Sequence, residues 1–500
     1  MDLYEIFTIV FTWQNLLALV IGGFYGLVVG ILPGIGPSAG MALAFPLSIN
    51  WNPITALIFM GSLYRCSTYG GSITAIMLNT PGDSANAATI LDGFPMCENG
   101  KSGVALGLSV TGAVVGGMIG MIVLILFSPI LAEFALKFGP AEYFLVAVFA
   151  LSIIAAVIKG ATIKGLISAG LGLMLATVGY DVIAGHPRFT FGMDFLEDGV
   201  PFIQTLVGFF AISQALALSE TTLAVSKVGK LAGSFWEGFK LYFKYPVTVI
   251  RSTLLGLWLG VLPAVGQSTA GLVAYADALR SSKHPETFGK GEPAGVIASE
   301  TSTNACMPGD LVCTIALGIP GSVGAAIFLS IMISFGVIPG PLVFVEKADV
   351  INSLFFSLIL TQLFILIIGF TVARYLARIS LIPNEIIVPS VIVVSLLGSY
   401  AIRNMMVDVI LSVAFGFLGY IMKKVGFNPI PLILGLVLGE LVEKNFHRAL
   451  MISGGSYSIF LASPICKLLV FLTLLSLFSP YLAPFYRRVF RNLRRAREMA

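Results

Sequence analysis

Charge is what this sequence lacks most. Asp, Glu, Lys and Arg make up 11% of its 500 residues, against roughly 25% in soluble chains. A soluble domain with so few charges could not cover its surface, and 57% of the residues are hydrophobic. Histidine is scarcer still: His186, His284 and His447 are scattered and form no HExxH, so neither a zinc site nor a His-based catalytic site is visible. The five cysteines (Cys66, Cys97, Cys306, Cys313 and Cys466) show no CxxC spacing and read as small core residues rather than metal ligands or disulfides. A phosphate-binding loop is missing too. Gly100-Lys101-Ser102 imitates its end, but Pro95 stands where the loop needs its first glycine. An ATP-driven version of this protein would therefore need a separate ATPase subunit. No nucleophile–base or paired-carboxylate arrangement is present, which argues against an enzyme.

What the chain has in abundance is long apolar sequence. Runs recur at 16–32, 104–127, 145–158, 315–337, 354–372 and 468–482, several of them near the ~20 residues a helix needs to cross a bilayer. They are solidly apolar rather than alternating, which excludes a β-barrel. The expected fold is an all-α polytopic membrane protein with about 10–12 membrane helices. The opening MDLYEIFTIVFTW carries Asp2 and Glu5 and no early Lys or Arg, so the first helix is expected to be retained rather than cleaved as a secretory signal. Near the other end, Arg487, Arg488, Arg491, Arg494, Arg495 and Arg497 follow the last apolar run. The positive-inside rule makes that tail cytoplasmic, in preference to a nucleic-acid site. The net charge of +4 adds nothing to this.

One stretch organises the rest: residues 69–93, YGGSITAIMLNTPGDSANAATILDG. An apolar segment runs into Asn79, Thr80, Pro81 and Gly82, then into the small polar residues Asp83, Ser84, Asn86 and Thr89. Pro81 cannot donate a backbone hydrogen bond and disfavours a helical residue before it, which predicts that the helix stops near Asn79. At membrane depth such a break is tolerated only against protein or a wet cavity. Upstream, Gly22, Gly26 and Gly30 precede the interruption Pro33-Gly34-Ile35-Gly36-Pro37-Ser38, and Gly112, Gly116 and Gly120 recur at the same four-residue spacing. These rows are expected to let helices approach closely rather than to touch a ligand.

The pattern then returns. Gly260-Val-Leu-Pro263-Ala-Val-Gly266-Gln-Ser268 echoes Gly30-Ile-Leu-Pro33-Gly-Ile-Gly36-Pro-Ser38, and Ile315-Ala-Leu-Gly-Ile-Pro320-Gly321-Ser echoes Ile76-Met-Leu-Asn-Thr-Pro81-Gly82-Asp, in the same order. The expected organisation is a first membrane repeat at 1–219, a connector at 220–251, a second repeat at 252–482 and the basic tail at 483–500. In the connector Lys227, Lys230, Lys240, Lys244 and Arg251 alternate with Leu, Phe and Trp236, an amphipathic basic pattern suited to a cytoplasmic membrane face. An odd number of spans per half would make the repeats inverted.

Paired Gly/Pro breaks in two halves are the best sequence pointer to a transporter's midplane site. Helix N-termini offer partial positive charge to an anion, and carbonyls at helix C-termini can hold sodium. The candidate substrate residues are Ser38, Ser72, Asn79, Pro81, Gly82, Asp83 and Asn86 in the first half, with Ser268, Asn304, Pro320, Gly321 and Ser322 in the second. Glu300 and Asp310 are candidates for coupling to a cation, with helix caps or loop acids as the plainer reading. Arg65 could attract a carboxylate, pair structurally or snorkel to an interface. Asp181, Asp277 and Asp408 read as structural.

The segments LPGIGPSAG, YGGSITAIMLNTPGDSANAATILDGFPM, LPAVGQS, FGKGEPAGVIASE and LGIPGS together closely resemble the TctA large membrane subunit of tripartite tricarboxylate transporters, over about residues 16–482. In two places the chain departs from the family. Thr303 stands in Glu300-Thr-Ser-Thr-Asn304-Ala where the family typically carries an amide, and Ala264 stands where a second LPG glycine would be; both bear on which carboxylate is taken. The resemblance implies an inner-membrane secondary transporter without a cofactor. It would work with a small TctB-like membrane subunit and a periplasmic TctC-like solute-binding protein, import citrate or a related organic acid, and be driven by Na+ or H+. It also implies an inverted, elevator-like arrangement of the two repeats. The alternatives are the permease domain of an ATP-driven system and a passive organic-anion channel.

Overall fold

The computed structural model describes residues 3–32, 34–157, 162–181, 183, 185–220, 232–262, 265–376, 378–379 and 382–478. Pro33, Pro263, Ala264, Lys227, Lys230 and the arginine-rich tail lie outside these residues. The first elements are α1 (Leu3–Val10), α2 (Trp13–Ile31), α3 (Gly36–Ser48), α4 (Pro53–Leu78), a 3-10 turn (Ser84–Asn86), α5 (Ala87–Glu98) and α6 (Ser102–Ala135). Next come α7 (Pro140–Val157), α8 (Thr162–Ala176) and the antiparallel ribbon β1 (Gly179–Tyr180) and β2 (Pro187–Arg188). A π turn at Val207–Ile212 joins α9 (Phe202–Leu206) to α10 (Ser213–Ser219). They are followed by α11 (Phe235–Tyr242), α12 (Pro246–Val261), α13 (Gly266–Ser281), α14 (Pro293–Leu317), α15 (Val323–Ser334), α16 (Val343–Glu346) and α17 (Ala348–Thr371). The last elements are α18 (Ala373–Leu376), α19 (Asn384–Arg403), α20 (Met406–Lys424), α21 (Ile430–Ile452) and an apolar helix α22 (Pro464–Phe478).

Among the described residues, 6 helices are long and apolar enough to cross a membrane, and 5 shorter apolar helices accompany them. The chain is a multi-pass helical membrane protein. Helices α4 and α14, with 26 and 25 residues, are also long enough to span. Their polar side chains keep them out of the apolar set, and those side chains are buried in protein: every residue of 56–78 and of 294–316 is buried.

Contacts divide the chain into two compact units. The larger comprises 1–135 with 203–420 and is built around α4 and α14. Helix α2 runs along α4, while α6, α12 and α13 surround α14. Glycine rows set these approaches. A Cβ on Gly22, Gly26 or Gly30 would fall 2.4, 2.4 and 2.0 Å from the carbonyl oxygens of Phe59, Leu63 and Ser67 on α4. One on Gly256 or Gly260 of α12 would meet the Ser302 and Cys306 carbonyl oxygens of α14 at 2.3 and 2.2 Å. On α6 a Cβ on Gly116 would meet the Thr301 carbonyl oxygen of α14 at 2.3 Å, and one on Gly112 or Gly120 would meet the Glu300 and Pro308 side chains at 2.9 and 2.7 Å. The glycine rows are therefore packing seams, as their spacing predicts.

The smaller unit comprises 136–202 with 421–500. In it Gly172 of α8 lies against α21, with a notional Cβ 1.9 Å from the Leu432 carbonyl oxygen, and the Ser152 and Ser476 hydroxyls are 2.7 Å apart. Arg188 of the ribbon is held by Asp181 at 3.0 Å and by Glu443 at 2.5 Å.

Candidate functional site

Both PG motifs break a helix, and they do so in the same way. Helix α4 ends at Leu78, and Asn79 turns into the left-handed region with φ 56° and ψ 26°. Helix α14 ends at Leu317, and Gly318 does likewise with φ 71° and ψ 22°. Asn and Gly are the residues that tolerate this C-terminal conformation. Past Pro81-Gly82 and Pro320-Gly321 the chain extends at Asp83 and Ser322, with ψ values of 163° and 169°, and re-enters helix. The Ser322 hydroxyl caps the new helix by accepting from the Ala325 N–H at 3.1 Å.

Each break is seated on the earlier interruption of its own half. The Gly34 N–H donates to the Gly82 carbonyl at 3.2 Å, and a Cβ on Gly82 would lie 1.8 Å from the Gly30 carbonyl oxygen. Gly321 is as tightly placed, with a notional Cβ 2.6 Å from Asp310 Oδ1 and 3.0 Å from the Gly260 carbonyl oxygen. Across the halves the elements interleave: α13 packs on the 3-10 turn and α5, while α15 packs on α3 and α4. Tyr64 of α4 reaches the second break, where its hydroxyl lies 3.1 Å from Ser322 Oγ. Thr303 of α14 reaches the first, donating to the Ala85 carbonyl at 3.4 Å.

Behind the breaks lies a buried polar layer. Arg65 is fully buried and donates to Asn304 Oδ1 at 2.7 Å, the Ala113 carbonyl at 2.8 Å and Gln362 Oε1 at 3.1 Å. It therefore pairs structurally and does not snorkel. Asn304 Nδ2 donates to the Glu300 carbonyl at 2.7 Å and lies 3.4 Å from Glu300 Oε2, so one amide links a buried cation to a buried anion. Thr89 of α5 donates to Glu300 Oε1 at 2.6 Å. Gly117 leaves the space this needs, since a Cβ there would stand 2.2 Å from Arg65 Nη2.

The candidate residues divide by accessibility. Asn79 is exposed, Ser38, Pro81, Asp83, Ser268 and Ser322 are half-buried, and Gly82, Pro320 and Gly321 are buried in the turns. Ser72 and Asn86 are buried and bonded to each other at 2.8 Å, with Asn86 Nδ2 also donating to the Thr68 carbonyl at 2.9 Å. Glu300, Asn304 and Asp310 are buried within α14, and Asp310 Oδ1 accepts from the Gly321 N–H at 2.6 Å. None of the acids is a simple surface cap. The remaining aspartates hold ion pairs or hydrogen bonds: Asp277 with Arg251 at 2.7 Å, and Asp408 with Arg403 at 2.5 Å and Gln204 at 2.8 Å.

Several participants are not among the candidate residues. Tyr64, Thr68 and Gln362 lie outside the motifs, Thr89 and Gln267 lie inside them, and helix packing brings all five to the layer. Asp92, in the ILDG segment, is another. Its Oδ1 accepts from the N–H groups of Gly291 and Glu292, both at 2.9 Å, so the ILDGFP and KGEPAG segments are bound to each other.

Known proteins share this sequence over most of its length. The model of the tripartite tricarboxylate transporter TctA family matches residues 16–434. A protein of Agrobacterium vitis described as an uncharacterized 52.8 kDa protein in the TAR-I ttuC' 3' region is 34% identical over 467 residues, covering 91% of each chain. A second from that organism, described as an uncharacterized protein in the TAR-II ttuC' 3' region, is 32% identical over 215 residues, 43% of this chain and 89% of that one. No solved structure matches. With the motifs, the paired breaks and a family match over most of its length, the chain belongs to the tripartite tricarboxylate transporter TctA family.

Proposed function

We propose that this chain is the permease of a binding-protein-dependent secondary transporter that imports carboxylates, a tricarboxylate such as citrate or a related organic acid, driven by a cation gradient. Its family makes it the membrane component of a tripartite transporter rather than an enzyme. The observation that carries the reading is the pair of matched helix breaks in one compact unit, each followed by a new helix start and backed by buried polar side chains. Helix starts favour carboxylate groups, and carbonyls at helix ends favour cations. Asn79, Asp83, Ser38, Ser268 and Ser322 would face the solute, because they keep some exposure. Ser72, Asn86 and Asn304 would shape the site from behind, with Glu300 and Asp310 linked to the coupling ion, Na+ or H+.

In this reading the two halves are inverted repeats moving in an elevator-like way. A small TctB-like membrane subunit and a periplasmic TctC-like protein complete the system in the inner membrane, and the arginine-rich tail is cytoplasmic. Support for the repeat comes from equivalent seams: Gly26 on Leu63 and Gly30 on Ser67 in one half correspond to Gly256 on Ser302 and Gly260 on Cys306 in the other.

The test is uptake of labelled citrate into proteoliposomes holding this chain and its small partner, with the binding protein outside, with and without an inward Na+ gradient at fixed pH and potential. Gradient-dependent accumulation is expected. Uptake that survives an ionophore but needs ATP and a further subunit, or that never exceeds equilibration, would overturn it in favour of a pump or a channel.

A further inference from the structure

We infer that Asn86 and Asp310 mark two binding sites for a monovalent metal cation, sodium in the first instance, one neutral and one charged, at the second break of each half. The inference rests on the cation-driven reading above and specifies where the ion sits.

Count back from the two breaks, matching Leu78 with Leu317. Gly71 then corresponds to Asp310, and Asn86 beyond the break corresponds to Ala325. The polar side chain has changed places. In the second half it comes from the helix before the break, and in the first from the segment after it. Both arrive at the same spot. A Cβ on Gly71 would stand 2.1 Å from Asn86 Oδ1 and 3.3 Å from the Asp83 nitrogen, so the Asn86 amide fills the space that the Asp310 side chain fills in its own half.

Each of these side chains turns one oxygen into the space by its break. Donation from Asn86 Nδ2 to the Thr68 carbonyl fixes the amide's orientation and turns Oδ1 away towards Gly71. That Oδ1 has no hydrogen-bond partner among the described residues, and neither has Asp310 Oδ2. Ser322 stands beside the Asp310 carboxylate and is near enough to donate to it, but a neutral hydroxyl, which also accepts from the Ala325 N–H, supplies no counter-charge. Both residues are 1% exposed. Leaving a buried acceptor unpaired is costly, so a ligand that supplies positive charge is favoured.

Charge points the same way. The Arg65 guanidinium is offset by Glu300 through Asn304. Asp310 has no Lys, Arg or His within ion-pair distance among the described residues. A buried carboxylate without a counter-charge takes up a proton or a metal cation. The amide oxygen of Asn86 cannot take a proton near neutral pH, but either oxygen can ligate a metal ion. The Gly30 and Gly260 carbonyls beside Gly82 and Gly321 supply further oxygens of the kind that hold sodium at broken helices.

The experiment is thermal unfolding of the purified full chain in detergent, titrating NaCl against choline chloride at fixed ionic strength and pH. The wild-type midpoint should rise with sodium in two phases. Asp310→Asn should move the tighter phase at least tenfold to higher sodium, and Asn86→Ala should remove the weaker one. A third variant, Gly71→Asp with Asn86→Ala, writes the chemistry of the second half into the first; it should bind at both sites, with the weaker phase tightened at least tenfold. This exchange still decides the matter if Asp310→Asn fails to fold. A wild-type midpoint that ignores sodium but follows pH would overturn the inference in favour of a proton on Asp310, as would an unaltered sodium response in both Asp310→Asn and the exchange. The two readings fail separately. Sodium binding without carboxylate uptake would sink the transport reading alone, and proton-driven uptake without sodium binding would sink the sites alone.

Discussion

Arg65, Asn304 and Glu300 show how much a single amide can carry. Asn304 takes one hydrogen bond from the guanidinium and turns its other end to the glutamate, so removing it separates two buried charges. Replacing Arg65 by Met should cost about 3–5 kcal/mol, the usual penalty for stranding one member of a buried charged pair. Adding Glu300→Gln should return part of that loss. A double-mutant cycle on thermal midpoints checks this, and strict additivity would show that the two charges are independent. Asn79 poses a different question, because its backbone makes the turn while its side chain is proposed to meet the solute. The left-handed turn is met by Asn or Gly, whereas Ala there should cost about 1 kcal/mol. Asn79→Gly therefore isolates the side chain: the melting midpoint should hold while carboxylate affinity falls about tenfold, the worth of one hydrogen bond to a charged group. Unchanged affinity in uptake assays would confine Asn79 to the turn.

At the scale of elements, proline and glycine made the sequence legible. The end of α4 follows from Pro81, and the glycine rows follow from their four-residue spacing, because both effects are local to the backbone. The seams make a prediction that contrasts two glycines. Gly30→Ala places a methyl 2.0 Å from the Ser67 carbonyl oxygen, which is backbone and cannot swing aside; folded protein should be lost, at a cost of about 1–3 kcal/mol or more from overpacking alone. Gly170 in α8 has nothing within 4 Å, and Gly170→Ala should be neutral or gain about 0.5–1 kcal/mol from reduced backbone freedom. Equal thermal midpoints for the two variants would show that α2 does not depend on this approach. What spacing could not reveal is which polar side chains meet. Thr89 and Glu300, or Tyr64 and Ser322, are joined by the packing of distant helices. The approach of Asn86 Oδ1 to Gly71, the position that corresponds to Asp310, likewise has no sign in the spacing. Hydropathy misleads for α4 and α14 in a related way, since their polar residues face protein instead of lipid or water.

For the molecule as a whole, sequence halves and compact units divide the chain differently. The echo of LPGIG in LPAVG separates early residues from late ones, whereas packing gathers 136–202 with 421–500 and leaves the rest together. A noncontiguous unit of this kind has no signature in a linear reading, because nothing at 135 or 421 marks where contacts cease. The direction of the two halves can be decided by labelling. Asn50 lies between α3 and α4 and Lys283 between α13 and α14, each two residues past the helix it follows, and both are exposed. If the halves are inverted, these points lie on opposite faces of the membrane. All five native cysteines are buried, so a membrane-impermeant maleimide should find little background. Asn50→Cys and Lys283→Cys, placed singly, should then behave as opposites: one labels in intact spheroplasts and the other only after permeabilisation. Labelling of both from the same side would make the halves parallel. The central helices would then need a different relation at the Arg65–Asn304 contact, where positions that correspond in the two halves now meet each other directly.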